Sequence, residues 1–407
     1  MTAVRWYRFG LGAVLLVVPL WILLSRLDAI WNGHPAYPAT LLVTIAVGLV
    51  LVAFAFWPWR RDPEPHGPPW DSDAEPVGPT TAGPTTAGPT TAGSTTAGPT
   101  TAGPTTAGPS TAGPATDEPA TAGPTTTGRE GNPANGSDPA AGPHPASGPP
   151  PPTDRRRRTG WRVVRRVAAA VLVLGWLAVL AWLRPFTAGP DSLAALAEGG
   201  SVVVTDNPTT IELAPAGSRV PTTGLVFTPG ARVDSRAYAE LLRPVAEAGY
   251  LIVILKSPYG IAFAQPGQSA GPIADHPEVT AWAVGGHSLG GVVAAGYAGD
   301  HADTVTGLLL YASYPNTDLS SDGGLQAESI FGSNDGLTTA ADIARTRDLL
   351  PPDTLFTVIE GGVHAYFGDY GEQPGDGQST VSREHATAEI VAATTAFMER
   401  VELAASG

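Results

Sequence analysis

Thr280-Ala281-Trp282-Ala283-Val284-Gly285-Gly286-His287-Ser288-Leu289-Gly290-Gly291 passes from an apolar strand pattern into a small-residue helical one, and Gly-x-Ser-x-Gly sits at the join. A serine at so sharp a turn is forced into a strained backbone conformation. Only small residues two positions to either side, here Gly286 and Gly290, let strand and helix approach that closely. The turn pushes the Ser288 hydroxyl into the open at the carboxyl end of a sheet, where the helix N-terminus favours developing negative charge. The same letters also fit an ordinary serine in a glycine-rich loop, so the motif needs partners.

A serine hydroxyl is a weak nucleophile until a base takes its proton, and that base needs a carboxylate to fix its tautomer. The expected chain order is serine, acid, histidine. Asp335 follows a strand pattern in Phe331-Gly332-Ser333-Asn334-Asp335-Gly336, and His364 follows the last strand pattern in Gly361-Gly362-Val363-His364. Among competing acids, Asp342 and Asp353 read as helix-surface and turn residues, and Asp322 lies in a Ser/Asp/Gly loop. His276 and His385 read as surface residues, His301 as lying just past a helix end, and His287 as packing beside the serine. An oxyanion needs two backbone N–H donors: Leu289, next after the serine, and Ala231 in Thr228-Pro229-Gly230-Ala231-Arg232, with Gly230 allowing close approach. The plain alternative for that second segment is an ordinary strand-to-helix turn.

Outward from this centre, short β-branched runs alternate with helical ones, the signature of an α/β fold with a doubly wound, mostly parallel sheet. Strands are expected at 202–205, 224–228, 251–255, 280–285, 305–310, 328–331 and 355–359, and helices at 235–248, 290–299, 339–349 and 382–401.

Together Gly286-His287-Ser288-Leu289-Gly290-Gly291, Phe331 to Asp335 and Glu360-Gly361-Gly362-Val363-His364 resemble the α/β-hydrolase superfamily. The likeness covers about 201–401 and is nearest to the small lidless bacterial branch, dienelactone-hydrolase-like but with a serine nucleophile. Pro229 stands where many relatives carry histidine. The resemblance implies hydrolysis of an ester, thioester or similar acyl compound without metal or organic cofactor, and an eight-strand sheet in reduced form. Only Ser313 to Gln326 separates two successive strands where many relatives insert a cap, so an open site is expected. Tyr259, Phe263, Tyr314 and Tyr366 are candidates for the acyl pocket, with core packing as the equal alternative.

The first half of the chain is different in kind. Three apolar runs, from about Phe9 to Leu24, Thr40 to Trp57 and Val167 to Leu183, approach the length of a membrane-spanning helix and are flanked by Arg or Trp. No small-residue cleavage site follows Leu24, which argues against a signal peptide. Between the second and third runs Pro-Thr-Thr-Ala-Gly repeats from Pro79 to Gly113, a low-complexity stretch too poor in apolar residues to fold and expected to be a disordered spacer. The Arg bias, including Arg60, Arg61 and Arg155 to Arg158, favours keeping the spacer cytoplasmic and placing the last domain outside, in a multi-pass cell-membrane protein. An O-glycosylated outer stalk is the alternative that this bias opposes.

The chain carries a net charge of −14, yet 14 of its 23 basic residues precede Phe186. Beyond it 9 basic residues face 26 acidic ones, which argues against a nucleic-acid partner. The absence of cysteine excludes thiol catalysis and thiolate metal sites. The expected organisation is two transmembrane helices in 1–61, a linker over 62–160, a third transmembrane helix in 161–186 and a hydrolase domain over 191–407. The leading expectation is a membrane-anchored serine esterase acting on a small-molecule acyl substrate. The alternative is a catalytically silent binding module on the same fold.

Overall fold

The computed structural model describes residues 3–57, 153–197, 199–218 and 220–407. Most of the expected linker, including the five-residue repeats, lies outside them. Helices α1 (Ala3–Ser25), α2 (Leu27–Trp31), α3 (Ala36–Phe56) and α4 (Thr153–Trp182) precede the mixed domain. Within these, Val4–Ser25, Ala36–Phe56 and Thr159–Trp182 are long and apolar enough to cross a membrane. At about 1.5 Å per residue each exceeds the roughly 30 Å of a bilayer's hydrocarbon core. The third helix starts earlier than expected: residues 153–160, assigned to the linker, are its first two turns, in keeping with the good helix propensity of the arginine run.

Small and polar residues join the three long helices. Gly12 and Gly48 face each other closely, so that a Cβ on either would lie within 3.0 Å of the other's carbonyl oxygen. Tyr37 donates to the Leu180 carbonyl at 2.6 Å, and Trp176 Nε1 to Thr44 Oγ1 at 3.3 Å. The start of α3 and the end of α4 are thus neighbours at the end of the bundle that carries the 26–35 loop.

The domain holds an eight-stranded sheet: β1 (Val202–Asp206), β2 (Thr210–Pro215), β3 (Thr223–Thr228), β4 (Leu251–Leu255), β5 (Ala281–His287), β6 (Val305–Tyr311), β7 (Gln326–Gly332) and β8 (Leu355–Ile359), in the order β1-β2-β4-β3-β5-β6-β7-β8. β2 runs antiparallel to both β1 and β4, and every other neighbour pair is parallel. Strands β3, β4 and β5 are buried along their whole length, as continuous apolar runs in a sheet covered on both faces should be. All seven expected strands are present. The eighth, β2, makes the sheet complete rather than reduced.

Helices α5 (Pro190–Ala195), α6 (Ala239–Glu247), α7 (Ala270–Asp275), α8 (Leu289–Asp300), α9 (Ala340–Thr346) and α10 (Arg383–Ser406) surround the sheet. Leu241, Leu242 and Val245 of α6 join Ile390, Phe397 and Val401 of α10 in one core, with Phe227, Leu309 and Ile330 from the sheet. Ala294, Ala295 and Ala298 of α8 pack in the other, with Val226, Val253, Val284 and Leu308. The domain also begins earlier than residue 191. Phe186 donates its N–H to Arg232 O at 2.7 Å and accepts from Asp234 N–H at 2.9 Å, while Gly189 N–H bonds Asp369 O at 2.7 Å.

Where α8 enters beneath the sheet edge the fit is close. A Cβ at Gly290 would lie 2.1 Å from the Thr228 carbonyl oxygen, and one at Gly286 would lie 2.5 Å from the Gly290 carbonyl carbon. Both obstacles are backbone, which cannot step aside as a side chain can. Gly290→Ala should therefore destabilise the domain by about 1–3 kcal/mol or more, seen as a lowered midpoint in thermal unfolding of the full chain. An unchanged midpoint would show that β3 and α8 can separate.

Candidate active site

The turn between β5 and α8 holds Ser288 at φ 51° and ψ −123°, a left-handed conformation that is costly for a residue with a Cβ. Hydrogen bonds from the neighbouring strand pin it. Ser288 N–H donates to Tyr311 O at 2.9 Å, and Ser313 Oγ donates to Ser288 O at 2.7 Å. The side chain is half-buried.

His364 and Asp335 meet where the loops after β8 and β7 converge. Nδ1 of His364 lies 2.8 Å from Oδ2 of Asp335, and both residues are buried, at 1% and 5% exposure. Oδ1 of Asp335 accepts the amides of Leu337 at 2.8 Å and Thr338 at 2.7 Å. An ionised carboxylate only accepts, so Nδ1–H of His364 is the donor in this pair, and in the neutral ring Nε2 is then the acceptor nitrogen. That Nε2 is buried and has no hydrogen-bond partner among the described residues. The His364 ring lies 4.6 Å, centroid to centroid, from that of His287, the residue before Ser288. The structure therefore gathers Ser288, His364 and Asp335 at one sheet edge. Asp342 instead caps α9 in a reciprocal pair with Thr339, Asp322 bonds the Gly324 amide within its own loop, and Asp353 lies in an exposed turn.

A second chain of hydrogen bonds links the loop after β3 to the turn. Gly230 N–H donates to Tyr238 OH at 2.8 Å, and the Tyr238 hydroxyl lies 2.9 Å from His287 Nδ1. Burial raises the Tyr238 phenol far above its usual range, so it stays protonated and able to donate to His287 Nδ1. A Cβ at Gly230 would lie 2.6 Å from that same Nδ1. The amides flanking Ala231 are engaged, Gly230 with Tyr238 and Arg232 with Gly260 O at 2.7 Å. Ala231 and Leu289 N–H find no acceptor among the described residues.

Burial, and then the nearby His364, hold the fully buried His287 well below the usual histidine value of 6.5. The unfolded chain thus binds the extra proton first, and stability falls as pH drops below that value. His287→Asn keeps an acceptor for Tyr238 but cannot titrate. Its melting temperature should drop less than the wild type's between pH 7 and pH 5, and equal drops would remove His287 from the acid response.

The aromatic candidates separate. Tyr259 bonds Thr40 Oγ1 through its hydroxyl at 3.1 Å and meets the Tyr37 ring edge-on at 6.4 Å, so it faces the start of α3. Tyr366 packs against the core under Arg383, whose guanidinium lies 5.5 Å above its ring. Tyr314 and Phe263 are exposed on loops at the edge that carries Ser288.

Sequence reading missed Asp376. Its Oδ1 accepts the amides of Gly336 at 3.2 Å, His364 at 3.1 Å and Gly377 at 2.7 Å, while Oδ2 accepts that of Ala365 at 2.8 Å. One carboxylate thereby ties the Asp335 loop to the His364 loop. Its only signal was an aspartate between two glycines, Gly375-Asp376-Gly377. Because bonds to a charged acceptor are worth about 1.5–3 kcal/mol, Asp376→Ala should lower stability by at least that range in urea titration. A smaller loss would mean that the two loops hold their places independently.

Residues 224–388 match the profile of the Alpha/beta hydrolase family. No match to a curated protein was found. Among solved structures, TT1662 from Thermus thermophilus is 16% identical and aligns over 49% of this chain and 98% of its own, with a TM-score of 0.37. A dienelactone hydrolase-like promiscuous phosphotriesterase from metagenomic libraries is also 16% identical, over 50% and 99%, with a TM-score of 0.38. By its family match and its sheet, the domain that follows α4 has the α/β-hydrolase fold.

Proposed function

We propose that this chain is a membrane-anchored serine hydrolase that cleaves an ester or related acyl bond. The observation that carries the reading is the buried Asp335–His364 pair, which leaves an unpartnered Nε2 beside the turn that strains Ser288. In this reading His364 Nε2 takes the Ser288 proton while Oγ attacks the acyl carbon. The amides of Ala231 and Leu289 hold the oxyanion. The C–O bond to the leaving alcohol breaks as His364 returns the proton to it, leaving an acyl-serine. Water, deprotonated by the same Nε2, then releases the carboxylic acid and restores Ser288.

Anchoring rests on the three helices long and apolar enough to span a membrane. The 26–35 loop and the hydrolase domain share one side of the bundle, and the Arg bias makes that side extracytoplasmic. A silent binding module would have no need of the buried Asp335–His364 pair beside the Ser288 turn, and that pair favours the enzyme.

The test is fluorophosphonate labelling and p-nitrophenyl ester turnover by the full chain in detergent. Ser288→Ala should abolish both, and Asp335→Asn should lower turnover about 10⁴-fold by leaving His364 in the wrong tautomer. A folded wild type that neither labels nor turns over would favour the binding module.

A further inference from the structure

The sheet edge that carries Ser288 is also the edge that meets the apolar helices. In the loop after β3, Val233 forms a parallel bridge with Phe186, four residues beyond the end of α4. Arg232 in the same loop places its guanidinium 4.8 Å over the Trp182 ring and 5.0 Å over that of Phe186, and bonds the Trp182 carbonyl. Tyr259, in the loop after β4, lies against Tyr37 and Thr40 of α3. Arg236, buried and paired with Asp234, reaches Asp28 in the α1–α3 connection at 2.7 Å. A cavity at this junction is lined by Ile30, Tyr37 and Leu183 from the helical side and by Pro229, Arg232 and Tyr259 from the domain.

The leash is short. Only Leu183, Arg184 and Pro185 separate the end of α4 from the Phe186 bridge, which limits the gap to roughly 14 Å at full stretch. The loop bearing Ala231 cannot move far from the bilayer surface. Beyond Phe186, the only exposed aromatic side chains among the described residues are Phe263 and Tyr314, on the loops after β4 and β6 at this same edge. The acidic surface of the domain would repel an anionic membrane, so the helices, not charge, hold it there.

From this arrangement, and resting on the serine-hydrolase reading above, we propose that the substrate is a bilayer-resident long-chain acyl ester. Its chain stays in the leaflet on the domain's side while its ester reaches Ser288 beside the ends of α3 and α4. Hydrolysis breaks the ester C–O bond, consumes one water and yields a fatty acid and an alcohol. An uncharged or zwitterionic lipid suits the acidic surroundings better than an anionic one.

The full chain, reconstituted into dioleoylphosphatidylcholine vesicles, is given 4-methylumbelliferyl oleate either in its own bilayer or in separate protein-free vesicles, with water-soluble 4-methylumbelliferyl acetate as control. The oleate ester should turn over at least tenfold faster in the shared bilayer. A variant carries about 20 Gly/Ser residues between Leu183 and Arg184, enough to lift the domain tens of ångströms. It should keep acetate turnover within twofold and lose oleate turnover at least tenfold. Equal oleate rates from both kinds of vesicle overturn the proposal, as does undiminished oleate turnover in the lengthened variant. Fluorophosphonate labelling of Ser288 with neither of these effects leaves a serine hydrolase that takes its substrate from water. Absence of labelling sinks the serine-hydrolase reading and this one with it.

Discussion

The close approach of α8 to the end of β3 is the constraint on which the candidate site depends. With backbone carbonyls occupying the space where Cβ atoms would stand at Gly286 and Gly290, the chain has room to turn only at Ser288, and only at positive φ. That geometry sets the serine at the helix N-terminus and puts His287 under the loop after β3. Gly230 must then be bare to clear the imidazole, and the Tyr238 hydroxyl joins the Gly230 amide to His287 Nδ1. A single steric requirement thus fixes the serine, one end of the loop after β3 and the packing of a buried histidine.

The other half of the site is held by charge rather than by contact. Asp335 and Asp376 are short carboxylates that each gather backbone amides from loops without regular structure, and between them they join the ends of β7 and β8. Loops alone place a pair of side chains poorly, because each rotatable bond adds freedom. Several amides converging on one anion remove that freedom and also satisfy donors that would otherwise be buried without partners.

What could be read in the sequence follows from the range of the signal. Strands β3 to β8 announce themselves as local apolar runs, and Ser288, Asp335 and His364 follow from a motif and an order. β2 escaped because Thr210-Ile211-Glu212-Leu213-Ala214-Pro215 mixes a charge and a proline into its alternation, as an antiparallel strand near an edge can afford to do. Helices α2, α5 and α7 span 5 or 6 residues, too few to show a period. Asp376 and Phe186 act on loops elsewhere in the chain, and local sequence offers little to mark them, two flanking glycines in the case of Asp376. Tyr259 fits pocket or core by sequence, and its contacts with Tyr37 and Thr40 depend on a helix more than 200 residues earlier, which local sequence cannot supply.

Those long-range contacts explain a further oddity. Arg232 and Tyr259 both hold positive φ, at 61° and 57°, although neither is glycine. Each such residue costs about 1–2 kcal/mol in an isolated chain. Both lie on loops at the carboxyl edge, and both spend their side chains on the apolar helices: Arg232 on Trp182, Tyr259 on Tyr37 and Thr40. Their backbones also touch, since Arg232 N–H bonds Gly260 O. The helix ends offset the strain of the loops, and one of those loops carries the Ala231 amide. The apolar helices are therefore more than a tether: their ends receive side chains from two loops with positive-φ residues beside the candidate site.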